Sequence, residues 1–237
     1  MIDLYATGSP NAVKIFIALE EMGLEYELHL IDLIKGANFE PEFVTLSPTA
    51  KIPVIVDHDA IGGSKHTVFE SGAILLYLAE KTGKFQPEDS LQRSDMLQWL
   101  MMQMSNVGPY FGQLVHFGRY APDVTYGCSR YRTIVRNILD VVERRLEQTP
   151  FIAGQKYTIA DMAFLPWLQP VDFFLGEGAS ADYPSMKAWI ERLSARPAVA
   201  KGLQMAADIR AEMPAPSASA PPEKLDRLLG RGAFSRR

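Results

Sequence analysis

Three short stretches carry residue types whose order could bind and activate a ligand. Lys51-Ile52-Pro53-Val54-Ile55-Val56-Asp57 ends a loop at a proline and continues in β-branched residues that favour a strand. Proline cannot donate to a sheet ladder, so Pro53 belongs at the strand's beginning. The bond before it is a candidate for the cis form, with the amide groups of Ile52 turned outward. Phe69-Glu70-Ser71-Gly72 runs from a short strand into the apolar Ala73-Ile74-Leu75-Leu76-Tyr77-Leu78. Ser71 at a helix start aims unpaired N–H groups and the positive end of the dipole at whatever lies above it. The result is a carboxylate-sized anion site beside a backbone edge that can pair with an extended chain, which suits a small acidic peptide. Ser9-Pro10-Asn11 offers a hydroxyl and an amide at the mouth of another helix. Taken singly, Ser71 reads as a plain N-cap, Pro53 as a loop proline and Ser9-Pro10-Asn11 as a turn with a cap. The joint spacing of the first two favours binding.

The elements that must position these residues follow from hydrophobic periodicity. Ile2 to Tyr5 alternates as a strand, and a helix from Ala12 carries Val13, Phe16 and Ile17 on one face and stops at Gly23. Tyr26 to Leu30 alternates again. One helical turn fits between Phe39 and Phe43; Val54 to Asp57, a Gly62-Gly63 turn, a strand ending at Phe69 and a helix from Ser71 to Gly83 complete the unit. The order βαβ-(α)-ββα is that of an α/β thioredoxin-like domain, expected over 1–82. Residues 83–90 read as a linker. From 91 to 210 no strand pattern survives, which predicts an all-α domain with long helices over Gln92–Val115 and Arg130–Gln148. Thr158-Ile159-Ala160-Asp161 fits a capping box, and Pro184 and Pro197 each open a helix. Residues 211–237 form a Pro/Ala/Ser-rich tail, and 214–222 within it lacks the apolar residues for a core. Leu225, Leu228 and Leu229 fit either a short basic amphipathic helix or a frayed tail.

Composition narrows the function classes. A hydrophobic fraction of 47% and a formal net charge of −4 give no electrostatic case for nucleic acid or an anionic membrane as partner. No apolar stretch is long enough to span a bilayer, and Met1 opens no signal peptide. A single cysteine, Cys128, excludes an internal disulfide, a CxxC pair and a cysteine-cluster zinc site. His29, His58, His66 and His116 show no metal-ligand spacing, so no metal is expected. The chain reads as cytoplasmic.

Ile52-Pro53-Val54 followed by Phe69-Glu70-Ser71-Gly72-Ala73 resembles the ligand-binding half of the cytosolic glutathione transferases. Met1 to Tyr5, Ser9-Pro10-Asn11, Lys35 to Phe39, Gly112-Gln113 and His116-Phe117 are similar to the bacterial Nu class, described as glutathione-dependent disulfide-bond reductases. The resemblance covers roughly residues 1 to 210 and implies glutathione as cosubstrate. Glu70 then accepts from the γ-glutamyl amine, Ser71 holds the γ-glutamyl carboxylate, and Ile52 beside Pro53 pairs with the cysteinyl backbone. A thiol must lose its proton to attack, and hydrogen bonds to the anion from Ser9 and Asn11 lower its pKa. The Nu class most often has Thr where this chain has Ser9, which keeps the hydroxyl. Asn38 is implied at the glycine end, and Arg130, in Ser129-Arg130-Tyr131, as a holder of glutathione carboxylates. Ser105-Asn106 departs from a glycine pair usual in the long helix. Tyr5 reads as core.

The resemblance implies a homodimer that reduces a small disulfide or attacks an organic electrophile, with weaker conjugation or peroxide reduction. With no cysteine in the loop, the attacking sulfur belongs to glutathione. The competing class is a non-catalytic glutathione-binding or regulatory protein of the same fold, as a nitrogen-regulator relative illustrates.

Overall fold

The structure is a computed structural model that describes residues 1–213 and 221–229. By contacts the chain forms two compact units, Met1–Lys81 with the residues from Lys201 onward, and Thr82–Ala200. That partition differs from the expected boundary at 210.

The first unit is built on a four-stranded sheet in the order β2-β1-β3-β4. The strands are β1 (Ile2–Ala6), β2 (Tyr26–Leu30), β3 (Val54–Asp57) and β4 (His66–Phe69). β1 and β2 are parallel and joined by helix α1 (Pro10–Met22), the crossover that a parallel pair requires. The other two pairings are antiparallel. β3, central and buried on both faces, is a continuous Val-Ile-Val run, as expected of such a strand. β1 alternates, burying Ile2, Leu4 and Ala6 and turning Asp3 and Tyr5 to the other face, where Tyr5 stacks on His29 at 4.8 Å. The 3₁₀ turn Ala37–Phe39 and helix α2 (Pro41–Leu46) stand where a single turn was expected.

α1 is apolar almost all round, and every residue from Ala12 to Leu19 is buried. A helix of that kind must be covered on more than the sheet side. The cover comes from helix α10 (Pro197–Glu212), whose Gly202 lies so close that a Cβ there would stand 3.0 Å from the Ile17 backbone nitrogen. Lys201 also pairs with Glu20 at 2.8 Å. This packing draws the chain beyond Lys201 into the first unit. Helix α11 (Pro222–Leu229) belongs there too: Leu225, Leu228 and Leu229 are half-buried, and Arg227 lies against Gly36. The expected low-complexity stretch falls largely on 214–220, outside the described residues.

The second unit is helical among its described residues, with α4 (Ser90–Met102), α5 (Gly108–Tyr120), α6 (Thr125–Gln148), α7 (Ile159–Leu168), α8 (Val171–Leu175) and α9 (Pro184–Ser194). The segment expected as one helix over 92–115 is interrupted by a π-helical turn, Gln103–Val107. Pro109 follows it, and a proline ring crowds the carbonyl four residues back, which a widened turn relieves. α7 is buried throughout. Its capping box is present: Asp161 accepts from Thr158 N, Ile152 N and Trp189 Nε1 at 2.9, 2.9 and 3.0 Å. Burial pushes that carboxyl up to about 6, against the pull of these donors. It is a structural group.

Helix α3 (Ser71–Thr82) is fastened to the sheet by Asp57, at the end of β3. Asp57 is fully buried and takes Tyr77 Oη at 2.8 Å and Lys81 Nζ at 2.7 Å. Burial would raise its pKa, but hydrogen bonds from Lys81, Tyr77 and the Asp59 N–H hold it below the usual carboxylate range. A carboxyl lowered on folding contributes stability above its unfolded pKa of about 3.9, and that contribution is lost as pH falls through the folded value. Urea unfolding of the wild type should therefore show stability dropping below about pH 4. Asp57→Asn should be less stable at pH 7 and show a shallower decline over that range.

Candidate functional site

The strand register decides what meets what. Tyr5 of β1 pairs with Val54, and Val54 pairs with Phe69 of β4. The end of β1, the start of β3 and the end of β4 therefore share one end of the sheet. The loop after β1 carries Ser9 and Asn11, the residues before β3 are Ile52 and Pro53, and the residues after β4 are Glu70 and Ser71. All six sequence candidates on these segments are gathered in one place.

Each segment is held by local bonds. Ser9 is the N-cap of α1, with extended backbone, and its Oγ accepts from Ala12 N at 3.4 Å. That contact uses a lone pair, so the hydroxyl proton is the part left to donate. Asn11 stands half-exposed in the first turn. The loop is clamped from α10: Arg210 Nη1 donates to the Gly8 carbonyl at 2.8 Å. Burial pushes the Arg210 pKa down. Ser47 staples the second loop, donating to the Lys51 carbonyl at 2.8 Å and accepting from Lys51 N at 3.1 Å. The Ile52–Pro53 bond is cis.

Two non-glycine residues here sit in the left-handed region, Ala50 at φ 50° and Glu70 at φ 69°. Such backbone costs of order 1–3 kcal/mol and persists where the surroundings over-determine it, often at ligand clamps. Glu70 is exposed, while Ser71 beside it is 5% exposed. Ser71 Oγ lies 3.2 Å from Lys14 Nζ.

Asn38 is placed differently from a surface contact. It is 8% exposed and its Nδ2 donates to the Ala50 carbonyl at 3.0 Å, tying the 3₁₀ turn to the loop before Ile52. Arg130 is exposed on α6 in the second unit, next to Tyr131, whose ring stacks on Phe117 at 5.3 Å. Cys128, on the same helix, is partly buried with its Sγ near the Phe117 carbonyl.

Sequence reasoning missed Lys14, Ser47 and Arg210. A lysine inside the apolar stripe of α1 was a signal that could have been read, because lysine is almost never fully buried without a partner. It also found no ligand spacing among the histidines, whereas the sheet brings Asp3, Glu27 and His29 together with ligand atoms within 4.8 Å. His58 adds a contact to Asp3 at 2.8 Å. Burial opposes ionisation of Asp3, but bonds and charge from His58 and then His29 hold its carboxyl below the usual range. These residues form a cluster of carboxylate and imidazole side chains at the sheet. A cleft of about 540 Å³ at the far end of α1, lined by Tyr26, Leu28 and Met205, lies away from the gathered residues.

Comparison with known proteins matches residues 8–81 to the glutathione S-transferase N-terminal domain and 130–197 to the C-terminal domain. The chain is 45% identical over 210 residues to the disulfide-bond oxidoreductase YfcG of Escherichia coli K12, covering 86% of this chain and 94% of that one. It is 31% identical over 236 residues to the transcriptional regulator URE2 of Saccharomyces cerevisiae, covering 83% of this chain and 66% of the regulator. Among solved structures, a glutathione transferase family member from Pseudomonas fluorescens Pf-5 with two glutathiones bound superposes with a TM-score of 0.82 at 38% identity, covering 86% of this chain and 92% of that one. The thioredoxin-like sheet and the helical second half are the fold of these neighbours.

Gly8 gives the clamp a direct test. A methyl group there would stand 2.7 Å from Arg210 Cγ and 2.8 Å from the Ala206 carbonyl oxygen. The flexible arginine can yield, but the backbone oxygen cannot. Gly8→Ala should cost about 1–3 kcal/mol, read as a lower midpoint in urea unfolding.

Proposed function

Because the chain belongs to the glutathione S-transferase family, we propose that it reduces disulfides with the thiolate of bound glutathione. The observation that carries this reading is the convergence of three partners at one end of the sheet, with no cysteine in the Ser9-Pro10-Asn11 loop. Glu70 takes the γ-glutamyl amine and Ser71, with the first N–H groups of α3, takes the γ-glutamyl carboxylate. Ile52 exchanges main-chain bonds with the cysteinyl residue as an added strand would. The thiol then falls at the mouth of α1, where the Ser9 hydroxyl and Asn11 amide stabilise the anion. Asn38 acts by fixing the loop near the glycine end, and Arg130 supplies a guanidinium for glutathione carboxylates.

The chemistry is thiol–disulfide exchange. The glutathione thiolate attacks one sulfur of the substrate disulfide, forming a mixed disulfide and expelling the other sulfur as a thiolate, which takes a proton. A second glutathione thiolate attacks the glutathione sulfur of the mixed disulfide. Glutathione disulfide leaves, and the remaining substrate sulfur departs as the second thiol. Support for the second molecule is the pair of glutathiones in the Pseudomonas fluorescens relative. Conjugation of electrophiles and peroxide reduction are weaker uses of the same thiolate. The reading carries with it a homodimer and a cytoplasmic setting where glutathione is kept reduced.

Likeness to a transcriptional regulator favours a second reading, a glutathione-binding protein without turnover. The hydroxyl and amide at the thiol position argue for chemistry instead. The test is steady-state reduction of bis(2-hydroxyethyl) disulfide by glutathione, run beside conjugation of 1-chloro-2,4-dinitrobenzene on one preparation. Disulfide turnover should dominate, and Asn11→Ala should lower its kcat by about 10²-fold while the protein stays folded. Unchanged turnover in that variant overturns the role of Asn11. Dominant conjugation makes the protein a conjugating transferase. Loss of both activities with glutathione binding intact by calorimetry supports the regulator-like reading.

A further inference from the structure

We propose that Lys14 is a positioning residue for the γ-glutamyl carboxylate, acting from behind through the Ser71 hydroxyl. This rests on the reading of Ser71 given above. Lys14 is on α1, 1% exposed, in a helix whose neighbouring residues Ala12 to Leu19 are all buried. Its Nζ reaches Ser71 Oγ at 3.2 Å, between elements 57 residues apart in sequence. An amine buried this deeply is expensive to keep, and a methionine would fill the same volume without the penalty.

The polarity of the contact gives it a direction. Lys14 Nζ donates to Ser71 Oγ, so the hydroxyl is the acceptor in this contact and its own proton is directed away from Lys14. A hydroxyl polarised by a cation is a better donor to an anion, and bonds in which a partner is charged are about twice as strong as neutral ones. The helix start then presents backbone N–H groups, an oriented hydroxyl and a buried lysine amine in line. A plain N-cap needs none of the last. Burial pushes the lysine pKa well down, and the nearby charge of Glu70 pulls it the other way. A carboxylate arriving over Ser71 would add to that pull.

Calorimetric affinities for two ligands separate this role from a structural one. The ligands are glutathione and 4-aminobutanoyl-cysteinylglycine, which lacks only the γ-glutamyl α-carboxylate. The wild type should prefer glutathione. Lys14→Met should lose about 10- to 100-fold in glutathione affinity and bind the analogue as the wild type does. Lys14→Arg, which keeps the charge, should recover part of the preference. Equal losses for both ligands, or an undiminished preference in Lys14→Met, overturn the role of Lys14 and leave the Ser71 assignment standing. A wild type that does not distinguish the two ligands overturns the Ser71 assignment itself, and the role of Lys14 with it. If Lys14→Met fails to fold in urea titration, Lys14→Gln takes its place with the same criteria.

Discussion

With β3 hydrogen-bonded on both edges, to β1 through the Tyr5–Val54 register and to β4 through Val54–Phe69, the three loops that carry the candidate residues have no freedom to separate. A slip of one residue would turn the buried side chains of β1 to the opposite face, so the register is fixed by burial as well as by hydrogen bonds. Everything at the candidate site depends on this pairing. Ile52 and Pro53 enter β3 as Glu70 and Ser71 leave β4. At the opposite end of the same strand Asp57 holds Tyr77 and Lys81, so one strand of four residues fixes both where α3 begins and how it lies.

Two deeply buried ionisable groups, Asp161 and Lys14, serve different ends. Asp161 is surrounded by donors from the chain itself, joining the cap of α7 to Ile152 and Trp189. Those fixed dipoles offset part of what the carboxylate loses in hydration, and its removal would strand the donors. Lys14 points from the interior toward the start of a helix where the ligand is proposed to sit. The first arrangement holds a fold together. The second sets a buried amine directly behind Ser71 at the start of α3.

Covering α1 required a partner from the far end of the chain, and the same partner steadies the loop that leads to Ser9 and Asn11. α10 approaches closely enough at Gly202 to touch the α1 backbone, and Arg210 reaches the Gly8 carbonyl across 202 residues of sequence. Stability of the helix and position of the loop are thus one packing problem. The left-handed backbone at Ala50 and Glu70 fits the same account: the loop carrying Ala50 is bonded by Asn38, and Glu70 lies between a paired strand and a buried helix start.

What the sequence determined by itself are the features set by forces between near neighbours. β-branched runs and alternation marked the strands, Ser9 and Thr158 marked helix starts, Gly23 marked a stop, and Pro53 marked the head of β3. Because those local signals also fix the order of elements, the thioredoxin-like half and its Ile52-Pro53 and Glu70-Ser71 segments were legible. Tertiary structure alone decided that Lys14 faces Ser71, that Arg210 clamps Gly8, that Asn38 turns inward to Ala50, and that His29 and His58 meet at Asp3. Each of these contacts joins a side chain to a group on a different part of the chain. No local pattern encodes them, since the free energy that selects them arises only when the sheet and its covering helices are packed.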